Sequence, residues 1–185
     1  MMDKANLKLK PYNTDDAYLH LKRWASDPYY RNIWRGLSPF ISENDIINFP
    51  SFSGNMTMFI TDLDDVVVGL AVAYHFNFRN QTIHLGTLID KQYRGWNYGR
   101  NSQALWSQYL IEHFGIRKMN VEILEEFMIP YFEEVGYRMV GVRKEQYLFD
   151  GLRHDEYILE CFVDDYKVVY KEIPEGKKAI NGVAK

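Results

Sequence analysis

The chain reads as one α+β domain, with six to seven strands and about four helices. Three observations predict it. Thr57–Thr61, Val66–Phe78 and Gln81–Ile89 are apolar or alternating runs separated only by short turns, the pattern of a meander. Arg138–Phe149 and Arg153–Val163 flank Asp150-Gly151 as a closing hairpin. Between and before these strands lie segments with helical spacing, notably Arg100–Phe114.

Taken in order, Leu7–Tyr12 alternates as a half-buried strand, and Thr14 is a candidate cap for a helix to about Ala25. Ser26 to Gly54 reads as loop and short helix: Asp27-Pro28 interrupts the chain, and Ser42 caps a helix over Ser42–Phe49. This stretch holds Tyr29, Tyr30, Trp34, Phe40, Phe49 and Phe52, aromatics suited to core packing. The meander turns at Asp62–Asp65 and Arg79-Asn80. In Arg100–Phe114, Leu105 and Tyr109 share one helical row and Trp106, Leu110 and Phe114 another, before Gly115 stops the helix. Strand Lys118–Leu124 leads to a shorter helix that ends at Gly136, and Pro130 places its start at about Phe127 or Met128. The domain is expected to span 1–172. The tail 173–185, PEGKKAINGVAK apart from its first residue, is too poor in apolar residues to pack and is expected to be flexible.

Composition excludes several classes. A net charge of -3 and the lack of a long basic run argue against a protein that binds nucleic acid by neutralising phosphates. The single cysteine, Cys161, cannot form an internal disulfide, which suits a reducing cytoplasm. The longest nearly apolar run, Val66–Tyr74, is too short to span a bilayer, so no membrane association is expected. Five scattered histidines give no metal-ligand spacing, so no metal is expected. The aromatic content, 16%, favours an aromatic-lined cleft or interface and allows a homodimer.

The most informative segment is Ile83–Gly99, IHLGTLIDKQYRGWNYG, a strand running into a glycine-punctuated turn that opens a helix. The main-chain amides of Arg94, Gly95, Trp96, Asn97, Tyr98 and Gly99 would converge at the positive end of that helix, where anions bind. Gly95 and Gly99 permit left-handed or crowded backbone, and Arg94 and Arg100 bracket the turn with positive charge.

Arg94-Gly95-Trp96-Asn97-Tyr98-Gly99 resembles the (Q/R)-x-x-G-x-(G/A) loop of the GNAT acetyltransferases, in particular the ribosomal-protein, spermidine and amino-sugar N-acetyltransferase branch. Leu7–Ala17, Trp24–Trp34, Tyr131–Tyr137 (YFEEVGY) and Phe149–Leu159 (FDGLRHDEYIL) resemble that branch in order and spacing, over about 155 of the 185 residues. The resemblance implies the GNAT fold: a central mixed, mostly antiparallel sheet, splayed in the middle for acetyl-CoA. It also implies acetyl transfer to a primary amine by direct attack, with acetyl-CoA and an amine acceptor as partners.

Carried over residue by residue, the resemblance places the cofactor at Leu88, Ile89, the turn Arg94–Arg100, Glu125 and Phe132. A main-chain N–H at Leu88 or Ile89 would polarise the thioester oxygen. His84 falls where relatives commonly have a glutamate. Its reference pKa of about 6.5 suits a base, although a strand histidine also serves as a structural donor. Tyr29 and Trp34 fall on the acceptor side, and His154 in the closing motif would hold the hairpin against the cleft.

Three positions depart from the pattern: Asn97 replaces a glycine, Glu125 replaces an asparagine that touches the cofactor, and Phe132 replaces the tyrosine that protonates the departing thiolate. Together they open an alternative, a GNAT-fold CoA-binding or interaction module with little or no turnover. If the chain is an enzyme, one histidine and no clear acid suit an α-amine or amino sugar better than a lysine. Asp15, Asp16, Asp27, Glu43 and Asp45 would also tolerate a polyamine.

Overall fold

A computed structural model describes residues 6–33, 42–49 and 56–174, with the side chains of 31–33 left aside. Its seven strands form one sheet in the order β1-β2-β3-β4-β5-β7-β6. They are β1 (Lys8–Pro11), β2 (Met56–Thr61), β3 (Val67–Asn77), β4 (Thr82–Ile89), β5 (Lys118–Ile123), β6 (Arg138–Phe149) and β7 (Leu152–Phe162). Five helices accompany them among the described residues: α1 (Thr14–Ser26), α2 (Pro28–Ile33), α3 (Glu43–Asn48), α4 (Tyr98–Phe114) and α5 (Ile129–Glu134).

Every neighbouring pair is antiparallel except β4 and β5, which run parallel. The crossover through α4 imposes that direction, since a strand reached through a packed helix returns in the same sense. The parallel pairing is short. It joins Thr82 to Lys118, Ile83 to Met119 and His84 to Asn120, and beyond His84 the two strands diverge.

Alternation along the strands sends apolar residues to both faces. On one face Ile83, Leu85, Met119, Val121, Leu159 and Cys161 pack with Leu105, Trp106 and Leu110 of α4 and with Tyr131 and Phe132 of α5. On the other, Phe59, Leu70, Val72 and Leu88 meet Ala17, Leu21 and Trp24 of α1, with Tyr30 and Ile46. A sheet covered on both faces explains why Val67–Ala73 is buried throughout and not alternating.

Local chemistry sets the boundaries. Asn13 caps α1 by accepting from Asp16 N, and Ser42 forms a reciprocal capping box with Asp45. Pro28 does more than interrupt the chain: it opens α2 as a first-turn proline. A 3-10 turn, Glu126–Met128, precedes α5, which begins at Ile129 with Pro130 in its first turn. Asp150 and Gly151 both have positive φ (53° and 74°), as a tight hairpin turn requires. Gly136 ends α5 where a Cβ would lie 2.2 Å from Asp165 O, which excludes any side chain. Tyr166, Val169, Tyr170 and Ile173 pack against the α4-side core. Residues 175–185 of the expected tail lie outside the described residues, as do Trp34, Phe40 and Phe52.

Candidate active site

The divergence of β4 and β5 opens a cleft of about 640 Å³. Leu85–Ile89 form one edge and Val121–Glu125 the other; Gly95, Asn97, Gly99 and Arg100 close one end, and Tyr131 and Phe132 add an aromatic wall. Backbone groups along the diverging edges have lost their strand partners, so the cleft offers a ladder to an extended polar chain.

At that end the turn before α4 takes its shape from two residues with positive φ, Gly95 (79°) and Asn97 (65°). Gly95 needs its freedom for that angle alone, because no atom lies within 4 Å of the place a Cβ would take. Asn97 holds the left-handed position that a glycine would otherwise take, and asparagine is among the side chains that tolerate it. Its carboxamide does not cap the helix but donates to Glu172 O at 2.8 Å. Asn101 exchanges hydrogen bonds with Lys171 at 2.8 and 2.9 Å, so the C-terminal segment braces the turn from outside. Gly99 departs from expectation: it is neither left-handed nor crowded but sits in the first turn of α4, where a Cβ would make ordinary contact with Ile89 at 3.8 Å.

The charges around this end are organised. Arg94 donates to Ile89 O at 3.1 Å and lies over the Tyr29 ring at 4.4 Å. Burial lowers its pKa, and Glu125 acts in the opposite sense. The Glu125 carboxylate, which lines the cleft, is therefore offset by a guanidinium. Arg100 pairs with Glu134 at 2.7 Å and lies over Tyr131 at 4.7 Å. Trp96 packs partly into the core and Tyr98 is buried against Tyr93 at 5.2 Å. Neither side chain lines the cleft, which leaves their main-chain amides to the turn.

His84 lies at the apex, in the last paired position before the strands part, and is not itself among the lining residues. Its ring lies 5.4 Å from Tyr74 and 5.3 Å from His75, and Nδ1 is buried without a hydrogen-bond partner. His75 reaches it from a bulge in β3, at φ 50°. Burial lowers the His84 pKa, opposed by Glu122 and reinforced by His75 and Arg143, so the imidazole is neutral at pH 7. Glu122 lines the cleft and accepts from Arg143 at 3.0 Å and from Tyr74 at 3.4 Å. Arg143 also pairs with Glu156, which is fully buried. His154 is away from the cleft, stacked on Phe149 at 3.6 Å.

Phe132 and Tyr131 both line the cleft. The Tyr131 hydroxyl donates to Arg100 O at 3.1 Å, and burial raises its pKa strongly. Sequence reasoning missed Glu122, whose signal was a carboxylate on the same strand face as Asn120. It also gave Asp90 no role, although that buried carboxylate accepts from Trp24 Nε1 at 3.0 Å, from Tyr30 at 3.1 Å and from Arg23. Asp90 ties α1 and α2 to the end of β4, shortly before the turn that opens α4. Among the described residues, no group of three or more His, Cys, Asp or Glu side chains could hold a metal, and no helix is long and apolar enough to cross a membrane.

No family model matches the chain, and no curated protein matches its sequence. Solved structures do match its shape. A spermidine N-acetyltransferase from Vibrio cholerae, in complex with CoA and spermine, superposes with a TM-score of 0.78 at 14% identity, covering 88% of this chain and 98% of that one. This chain has the GNAT fold. A chimera of the Vibrio cholerae protein SpeG and hSSAT gives 0.74 at 14% identity, covering 87% and 98%. SpeG with manganese ions gives 0.70 at 14%, covering 85% and 94%. In the GNAT fold of this chain, the parting of β4 and β5 is the splay expected of the sheet, and α4 begins at its mouth.

Proposed function

We propose that this chain is an N-acetyltransferase that takes acetyl-CoA as donor and a cationic primary amine, such as a polyamine or amino sugar, as acceptor. The observation that carries the proposal is the continuity of two features: an apolar cleft between parted strand edges and, at its mouth, the amide-rich first turn of α4 flanked by Arg94 and Arg100. The first suits an extended amide-bearing arm and the second a pyrophosphate. The spermidine acetyltransferase of the same fold, with its CoA and spermine, supports the choice of donor and of amine.

In this reading the Leu88 or Ile89 N–H polarises the thioester oxygen. The amine approaches from the side of the cleft that Glu122 lines, where Arg143 pairs with both Glu122 and Glu156. The ammonium first gives one proton to solvent; as the neutral nitrogen attacks the carbonyl carbon, His84, kept neutral by burial, accepts the second proton through a water from the apex of the cleft. The C–S bond then breaks, and the thiolate takes a proton from water, because Phe132 has none and Tyr131 holds its own in a hydrogen bond to Arg100 O. That last feature also favours a second reading, a CoA-binding module with slow turnover.

Thermal melting with acetyl-CoA tests the cleft. Ligand at 100 times its dissociation constant adds about 2.7 kcal/mol, a rise of roughly 5–10 °C for a domain of this size. Gly95→Val, which forces a β-branched residue to positive φ, should remove the rise. No shift in the unaltered protein at millimolar ligand would reject both readings.

A further inference from the structure

The floor of the cleft carries a polar group that amine attack and thiolate release do not use. Gln103 lies in α4, one turn beyond Gly99. It is only 3% exposed, yet it lines the cleft. Its Nε2 is buried with no hydrogen-bond partner, while Oε1 lies 3.4 Å from Thr87 Oγ1, and Thr87 also lines the cleft. Turning the carboxamide over exchanges its two ends without satisfying both. Buried polar atoms are nearly always paired, so an unpaired amide in the wall of a cleft marks a position where a turn of the carboxamide toward a ligand completes the bond.

Its location indicates which part of the ligand. Thr87 directly precedes Leu88, whose N–H is placed at the thioester oxygen, so Gln103 lies beside the acyl end. Main-chain groups of the β4 and β5 edges lie in the plane of the sheet and serve the in-line amides of an extended arm. Gln103 reaches up from the face that α4 covers, out of that plane, and meets a substituent instead. Leu85 and Val121 wall the same region with apolar surface. The lining arginines, Arg94 and Arg100, belong to the anion turn, so a neutral oxygen fits here better than a carboxylate.

We propose that Gln103 is an acyl-selectivity residue: its carboxamide hydrogen-bonds an oxygen that the acyl group carries beyond its thioester carbonyl, so hydroxyacyl or ketoacyl donors are favoured over alkyl donors of equal length. The proposal rests on the reading of the cleft as a CoA-thioester site.

The test is calorimetric titration of the unaltered protein, Gln103→Leu and Gln103→Met with free CoA, butyryl-CoA and 3-hydroxybutyryl-CoA. One net hydrogen bond corresponds to a preference of about 5- to 10-fold. The expected result is that free CoA binds all three proteins alike, that the unaltered protein favours the hydroxyacyl thioester by that factor, and that both variants lose the preference. A merely structural glutamine would change all three affinities together. Equal affinity for the two thioesters in the unaltered protein, or a preference that survives in a folded variant, overturns the proposal while leaving the CoA site standing. Failure of free CoA to bind the unaltered protein overturns the cleft reading, and this proposal with it.

Discussion

Asp90→Ala is expected to be among the most destabilising single changes near the cleft, and its size follows from the groups it abandons. Trp24 is fully buried and Tyr30 is 4% exposed, and each donates a hydrogen bond to this carboxylate. A buried donor left without an acceptor costs about 1–3 kcal/mol. Tyr30 retains one interaction, since its oxygen accepts from Lys91 N at 2.6 Å, so its loss belongs at the lower end of that range. Arg23 is 52% exposed and regains water, so it adds little. The sum is about 2–4 kcal/mol, or roughly 4–16 °C in melting midpoint. Asp90→Asn keeps one acceptor and should cost about half as much. Urea unfolding of Asp90→Ala, Trp24→Phe and the double variant measures the coupling, expected at about 1–2 kcal/mol. Additive losses, or an Asp90→Ala protein within about 1 kcal/mol of the unaltered one, would refute the claim that this network fastens α1 and α2 to the end of β4.

Other consequences are equally open to measurement. His84 and His20 both have pKa values lowered mainly by burial, so the unfolded chain binds more protons below about pH 6.5. Stability should be complete above that pH and decline below it, and His84→Gln should flatten part of the decline in melts across roughly pH 4.5–7.5. The same substitution should remove the acid limb of the pH-rate profile, and an unchanged profile would exclude His84 as base. Phe132→Tyr supplies a proton donor to the cleft wall and should raise turnover by about 10-fold or more, read as CoA thiol release. Asn97→Ala places a side chain without tolerance for φ 65° and loses the Glu172 contact, for a cost of about 1–2 kcal/mol in urea unfolding.

Much of the fold was legible in the sequence because its signals are local. Asp150-Gly151 announced the hairpin, Ser42 announced α3, and the two helical rows of Arg100–Phe114 announced α4, which begins slightly earlier, at Tyr98. Pro28 looked like a break because proline interrupts a helix and opens one with equal ease; only the following residues decide. The shape of the turn before α4 was legible in Gly95 and Asn97, whereas Gly99 misled because a glycine in sequence does not reveal the sign of its φ.

The rest of the site depends on distant pairings. Asp90 meets Arg23 across 67 positions, and Gln103 meets Thr87 across 16, so neither role is written in a neighbouring residue. Glu122 lines the cleft only because β4 and β5 part beside it, a pairing that the strand's own sequence does not record. The resemblance singled out His84 as a candidate, but its relation to His75 depends on a bulge that alternation cannot predict.

The most direct test of the central claim is release of CoA thiol from acetyl-CoA in the presence and absence of spermidine, glucosamine and a peptide α-amine. An acetyltransferase of the kind proposed should show release that depends on added amine, saturates with spermidine or glucosamine, and falls at least about 10-fold in His84→Gln. Acetyl-CoA that binds but stays intact with every amine would contradict it.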